Sequence, residues 1–226
     1  PGGSLGFKIG GAKINLNLGG GNPDWRVRIS LAKSAKYFYH SASPQDRGLM
    51  APLFGSEYQN GVIFPYTPQV QVTHTANYAQ QKFTHSNQPG YYYENSEVGA
   101  ITISGDFTVQ NITEGQYLMA AITFFRAATK MWFGAASNTD MTGFPPPMVF
   151  LSGYGANYLP NVPCVVTSFQ HTMPADVDYV EVKYSGGMDM VNSDGTVSSS
   201  SQQVARIPTT SQFNITLQPV YSRKNI

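Results

Sequence analysis

The residues with the best claim to chemistry are two carboxylates behind a run of aromatic rings. Glu94 and Glu97 follow Tyr91-Tyr92-Tyr93. A carboxylate pair across a cleft can hydrolyse a glycoside, one group as acid and one as base or nucleophile. Tyrosines beside such a pair could stack sugars. Asp176 and Asp178 form a second pair two residues apart. Spacing alone places neither pair across a shared cleft, and solvated loop carboxylates are the more economical account.

The other candidates are weaker still. His40, His74, His85 and His171 show no H-x-H or H-x-x-x-H spacing, so a zinc site would need His74, His85 and His171 to be gathered by the fold. Gly2-Gly3-Ser4-Leu5-Gly6 matches G-x-S-x-G, but a nucleophile elbow needs a strand before it and a helix after it. Trp25 with Arg26 and Arg28 could touch nucleic acid, or simply form the wet face of a strand. There is no phosphate-binding G-x-x-x-x-G-K-[ST] and no dinucleotide fingerprint. No catalytic, cofactor-binding or metal-binding residue is therefore assigned, and the chain is expected not to be an enzyme.

Composition sharpens this. The chain has 226 residues, 14 Lys+Arg, 13 Asp+Glu and a net charge of +1. That is no electrostatic footprint for a dedicated nucleic-acid binder. Charged residues are 12%, about half the usual ~25%, while aromatics are 13%. A surface so poor in charge is expected to meet other protein. One cysteine, Cys164, excludes an intrachain disulfide and any multi-thiolate zinc site. The longest apolar run, near Tyr117–Phe125, falls short of the ~20 residues of a membrane span. Without an apolar stretch near Pro1, no signal peptide is expected, and synthesis in a cytosol is. Asn111-Ile-Thr113 and Asn214-Ile-Thr216 then need no glycosylation reading.

Two-residue alternation dominates the chain. Residues 1–23 form a Gly-rich arm in which Ile14, Leu16 and Leu18 share one face, either as a strand pairing within or between chains or as a flexible tail. Residues 24–226 are expected to form one domain. Trp25, Val27, Ile29 and Leu31 alternate with Arg26, Arg28 and Ser30. Residues 32–59 read as a long loop, with Phe54 and Tyr58 as candidate contacts between copies. Val70, Val72 and His74 share a face. So do Ile101, Ile103, Phe107 and Val109, with Gly105 marking a bulge or a close backbone approach. Later come Val165, Thr167, Phe169 and His171; then Val180 and Val182; then Phe213, Ile215 and Leu217. A hairpin turn is expected at 193–196.

One helix interrupts the strands, expected over about 113–133. Thr113 and Gln116 read as its capping box and Ile112 and Tyr117 as its staple. Leu118, Ile122, Phe125 and Trp132 make its core face, and Gly134 ends it. The fold class is thus mainly β and antiparallel, with one flanking helix.

The stretches "GVIFPYTPQVQVTHTANY", "GYYYENSEVGAITISGDFTVQNITEGQYLMAAITFFRAATKMWFG", "VPCVVTSFQHTMPADVDYVEV" and "ITLQPVYSR" resemble the tail-tube proteins of contractile-tailed bacteriophages. More narrowly, they resemble the tube initiators that cap the baseplate hub. The resemblance runs from about Asp24 to the C-terminus. It implies a β-sandwich or small barrel with a flanking helix, six copies in a ring, and sheets joined edge to edge around a channel. It also implies partners: a hub protein below, the tail tube above, tape measure and sheath nearby, and viral DNA passing without specific binding. The chain would reside in the virion. Alternatives are the main tube subunit of the same fold, or a glycan-binding or glycan-cleaving domain using Tyr91–Tyr93 with Glu94 and Glu97.

Overall fold

Alternation in the sequence becomes one large antiparallel sheet. The computed structural model describes residues 5–9, 12–16, 25–31, 44–53, 61–131, 143–155, 158–184, 190–191, 197–198 and 203–221. The strands are β1 (Leu5–Ile9), β2 (Ala12–Leu16), β3 (Arg28–Leu31), β4 (Gly61–Ile63), β5 (Gln69–Gln71), β6 (His74–Gln81), β7 (Gly90–Val98) and β8 (Ile101–Thr108). After the helix α1 (Ile112–Ala128) come β9 (Met148–Gly153), β10 (Leu159–Thr172), β11 (Tyr179–Tyr184), β12 (Met190–Val191), β13 (Val197–Ser198), β14 (Gln203–Pro208) and β15 (Thr210–Pro219).

Seven strands form the main sheet in the order β4-β3-β9-β10-β15-β8-β5, with every pair antiparallel. Its edges, β4 and β5, are joined by residues 64–68 alone. Such a link spans at most about 20 Å, whereas seven flat strands would hold their edges about 29 Å apart. The sheet must therefore curl. It stays open: no closed barrel forms among the described residues. Phe64 lies in the seam, its ring 5.5 Å from that of Phe107 on β8. Gly105 is thus the close approach, since a Cβ there would sit 2.6 Å from the Phe64 ring.

The concave face is the core. Val27, Ile29, Val149, Leu151, Cys164, Val166, Ile101, Ile103, Phe107, Phe213, Ile215 and Leu217 are all buried on it. α1 packs there, with Leu118, Ile122 and Phe125 buried as expected. Its buried surface is wider than one stripe, taking in Ala120, Ala121, Phe124 and Ala128. Besides the sheet, two elements pack on α1: the 3₁₀ segment Pro44–Leu53 and a two-stranded ribbon. The hairpin β10–β15 bends at 173–178 and Thr209 and continues as the ribbon β11–β14. There Thr209 N–H donates to Asp178 O (2.8 Å), and Val109 N–H donates to Thr209 O (2.8 Å). The ribbon lies on α1: Val182 fills the space beside Gly115, and Gln116 Nε2 donates to Lys183 O (2.7 Å).

Several expectations need correction. α1 starts at Ile112, one residue early, and its cap is Asn111, not Thr113: Glu114 N–H donates to Asn111 Oδ1 (2.9 Å). Glu114, not Gln116, closes the box by accepting from Gln110 N–H (2.7 Å). Ile112 is exposed, so no staple forms with Tyr117. The helix ends at Thr129, and Trp132 and Gly134 lie outside the described residues. In β10 a bulge between Val166 and Ser168 flips the phase. Cys164 and Val166 face the core in place of Val165 and Thr167, before Phe169 and His171 rejoin it. The 32–59 region contains a 3₁₀ segment, Pro44–Leu53, whose Leu53 is buried, and which packs on α1. Phe54 and Tyr58 lie outside the described residues. In the N-terminal arm, β1 and β2 pair with each other, matching Phe7 with Ile14 and Leu5 with Leu16; Leu18 lies outside the described residues. β12 and β13 pair around 192–196, the expected hairpin position.

Candidate functional site

The enzyme candidates do not converge. Glu94 and Glu97 are both exposed on β7, with Glu97 opposite Thr75 and Glu94 at a bulge. Asp176 and Asp178 are exposed at the bend before β11. His74 is exposed at the base of β6, and His85 is exposed in a turn with φ of 62°. His171 is on the core face of β10, its ring 5.1 Å from that of Phe213. No group of three or more His, Cys, Asp or Glu among the described residues is arranged to hold a metal ion. Ser4 and His40 lie outside the described residues. Trp25 is exposed, and Arg26 and Arg28 are half-buried. Burial raises the Cys164 thiol to about 11, opposite to the lowered values of activated cysteines.

What the fold does assemble is an extended polar face on the convex side of the sheet. The strand registers line it up in rows. One row runs Gln71–Thr102–Thr216–Ser168, and the next Gln69–Ser104–Asn214–Gln170. A third runs Asp106–Gln212–Thr172. Hydroxyls and amides fill these rows, which hold one carboxylate and neither lysine nor arginine. The carboxylate is engaged: Gln212 Nε2 donates to Asp106 Oδ1 (3.2 Å). The same alternation that buries Ile103, Ile215 and Phe213 projects these side chains outward.

The second feature is an arm. β5–β6 and β7–β8 are one long hairpin whose inner half belongs to the sheet. Its outer half, β6–β7, pairs with nothing else among the described residues. The two halves join where Gly99 N–H donates to Thr73 O (2.8 Å). Tyr78, Phe83, Tyr91, Tyr92 and Tyr93 are exposed on this arm. The Tyr78 and Tyr93 rings meet edge to face at 5.7 Å. Tyr91 OH accepts from Gln80 Nε2 (3.2 Å), and Tyr93 OH donates to Ser96 Oγ (2.8 Å).

The two sheet edges differ. At β4, Ile63 N–H donates to Tyr117 OH (2.7 Å), and that hydroxyl donates to Ile63 O (2.9 Å). The helix thus covers the β4 edge, while the outer edge of β5 and its continuation β6 pairs with no strand among the described residues. Sequence reasoning missed Tyr117, treating it as a staple residue. A hydroxyl-bearing aromatic bordering a helix core face was the available signal.

A cleft of about 930 Å³ opens at the base of the arm, between Val72 and His74 on one side and Met148, Tyr158, Leu159, Val162, Val220 and Tyr221 on the other. No carboxylate, lysine or arginine lines it among the described residues. No helix among the described residues is long and apolar enough to cross a membrane. No family model matches the chain, and no curated protein matches it.

Proposed function

We propose that the chain is a structural ring subunit: six copies close around a channel and start, or cap, the tail tube of a contractile phage particle. The observation that carries the reading is the neutral polar face. A surface that lets DNA slide past must not grip phosphates, since each lysine or arginine contact adds affinity. Three rows of hydroxyls and amides across β5, β8, β15 and β10 meet that requirement. In this reading they line the lumen, and α1 with the β11–β14 ribbon faces outward.

Ring closure needs two different surfaces that fit head to tail. The arm supplies two strand edges of this kind, the outer edge of β6, continuous with β5, and the outer edge of β7. Joining one copy's β6 edge to the next copy's β7 edge satisfies backbone groups that would otherwise invite aggregation. The hub below, the tube above, and tape measure and sheath around it are the partners of this reading.

Negative-stain electron microscopy of the particle, with copy number by quantitative mass spectrometry, tests it. About six copies at the junction of hub and tube is the expected result for a ring of this kind. A large multiple of six along the tail makes the chain the main tube subunit. Absence from any tube overturns the proposal. Loss of polysaccharide conversion in Glu94→Gln or Glu97→Gln would replace it with a glycan-cleaving activity.

A further inference from the structure

The β6–β7 arm joins the sheet through a break in register. In the sheet Gln71 stands opposite Thr102; in the arm His74 stands opposite Val98. Two residues, Val72 and Thr73, therefore face three, Gly99, Ala100 and Ile101. The extra residue is a bulge, and it interrupts both strands at one level. Across the gap Gly99 N–H donates to Thr73 O (2.8 Å). Just beyond it, Gln218 Nε2 donates to Val98 O at a long 3.5 Å. No side chain of β6 or β7 is buried. The bulge in β10 is different, because Phe169 just past it stacks on Phe125 at 5.1 Å and fixes the bend. At the base of the arm neither a continuous ladder nor buried packing does so, and low local stability is the physical consequence.

We infer that the arm is a lever: it swings about Thr73 and Gly99–Ala100 while its own ladder stays intact. Hinges of this kind are a few residues at element ends that absorb the change in backbone angle. Gly99 suits the place, since a backbone without Cβ turns with little steric cost. β6 starts at the pivot and has eight residues, about 27 Å, so a swing of about 20° carries its far end about 9 Å. Val72 and His74 form one wall of the cleft at the base, and Tyr158, Val220 and Tyr221 stand on the other. His74 belongs to the arm and the opposite wall does not, so the swing widens or narrows the cleft. The device belongs to a single chain and holds whether or not copies close a ring.

The test is the distance distribution between two spin labels on the full-length chain. Tyr92→Cys on the arm and Gln170→Cys on the sheet carry them, both positions being exposed while the native Cys164 is fully buried. Thr113→Cys with Gln170→Cys, from helix to sheet, is the rigid reference. The expected arm-to-sheet distribution is about twice as wide as the reference, as a hinged element gives. Deleting Ala100 then leaves two residues facing two, so Thr73 pairs with Gly99 in one unbroken register from Gln71–Thr102 to His74–Val98. In that chain the width should fall to that of the reference. A native width no greater than the reference overturns the inference. So does a deletion chain that melts like the native one and keeps the full width. Hydrogen exchange closes the remaining escape: amides of the β6–β7 ladder that exchange as fast as an unstructured peptide would mean that the arm melts rather than swings, and would overturn it too.

Discussion

The hydroxyl of Tyr117 holds both backbone groups of Ile63, accepting from its N–H at 2.7 Å and donating to its carbonyl at 2.9 Å. One side-chain oxygen thus stands where a neighbouring strand would, and the sheet ends at β4 because the helix is bonded to its edge. The contact also ties α1 to the curled sheet at the seam occupied by Phe64. Tyr117→Phe keeps the ring and strands two partly buried backbone groups. The expected cost is about 2 kcal/mol, read as a lower denaturation midpoint at unchanged slope. A shift within error would mean that water replaces the hydroxyl without loss.

The seam offers a second test. A Cβ at Gly105 would lie 2.6 Å from Phe64 Cδ1 and 3.1 Å from Pro68 Cβ. Gly105→Ala is therefore expected to destabilise by roughly 1–3 kcal/mol through overpacking. Phe64→Leu leaves space beside Gly105 and should cost less in the Gly105→Ala background than in the native one. A double-mutant cycle that comes out additive would show that the two residues do not touch.

Phe125 is the centre of the aromatic core, with Phe124 at 5.3 Å, Phe169 at 5.1 Å and Phe213 at 6.1 Å between ring centroids. Phe125→Ala should cost roughly 3–5 kcal/mol in a reversible melt. A loss below about 1 kcal/mol would remove α1 from the core.

Ile101, Ile103, Phe107 and Val109, and likewise Phe213, Ile215 and Leu217, were legible because strict alternation over a half-buried strand has one physical meaning. β10 defeated the same reasoning at Thr167, where one extra residue reverses the faces and leaves no local mark in composition. The cap moved to Asn111 because Glu114 satisfies two donors at once, which the competing Thr113–Gln116 pattern hid. Phe124 is missing from the expected core face because a stripe model assumes one covering layer, and here the 3₁₀ segment Pro44–Leu53 and the β11–β14 ribbon also pack on α1. Tyr117 and Phe64 act on partners far along the chain or across a seam, beyond what any local window contains. The convex polar rows were present in the sequence as the alternate residues of recognised strands. Their alignment into a neutral surface needed the register.

Ser211 is fully buried on β15, and its hydroxyl finds no hydrogen-bond partner among the described residues. An unsatisfied buried hydroxyl costs more than the apolar group that replaces it. Ser211→Ala is therefore expected to be neutral or to stabilise by up to about 1 kcal/mol. A loss of that size would reveal an ordered water bonded to Oγ.

His171 makes stability depend on pH in a defined direction. Burial lowers its pKa below the usual imidazole value of 6.5, and the Arg126 guanidinium lowers it further. Its Nε2 is buried and finds no hydrogen-bond partner among the described residues, so none of them offers a bond to a second ring proton. The unfolded chain then binds more protons than the folded one once pH drops toward 6.5. This contribution is fully present above 6.5 and is lost as pH falls through the lowered folded value. His171→Gln removes the titration. The stability difference between the native chain and His171→Gln should shift against the native chain between about pH 7 and pH 5. The carboxylates, common to both chains, cancel in that difference. Adding Arg126→Gln to both should shrink the shift, because one of its two causes is gone. A flat difference across that range would mean that the imidazole reaches solvent and titrates as it does in the unfolded chain.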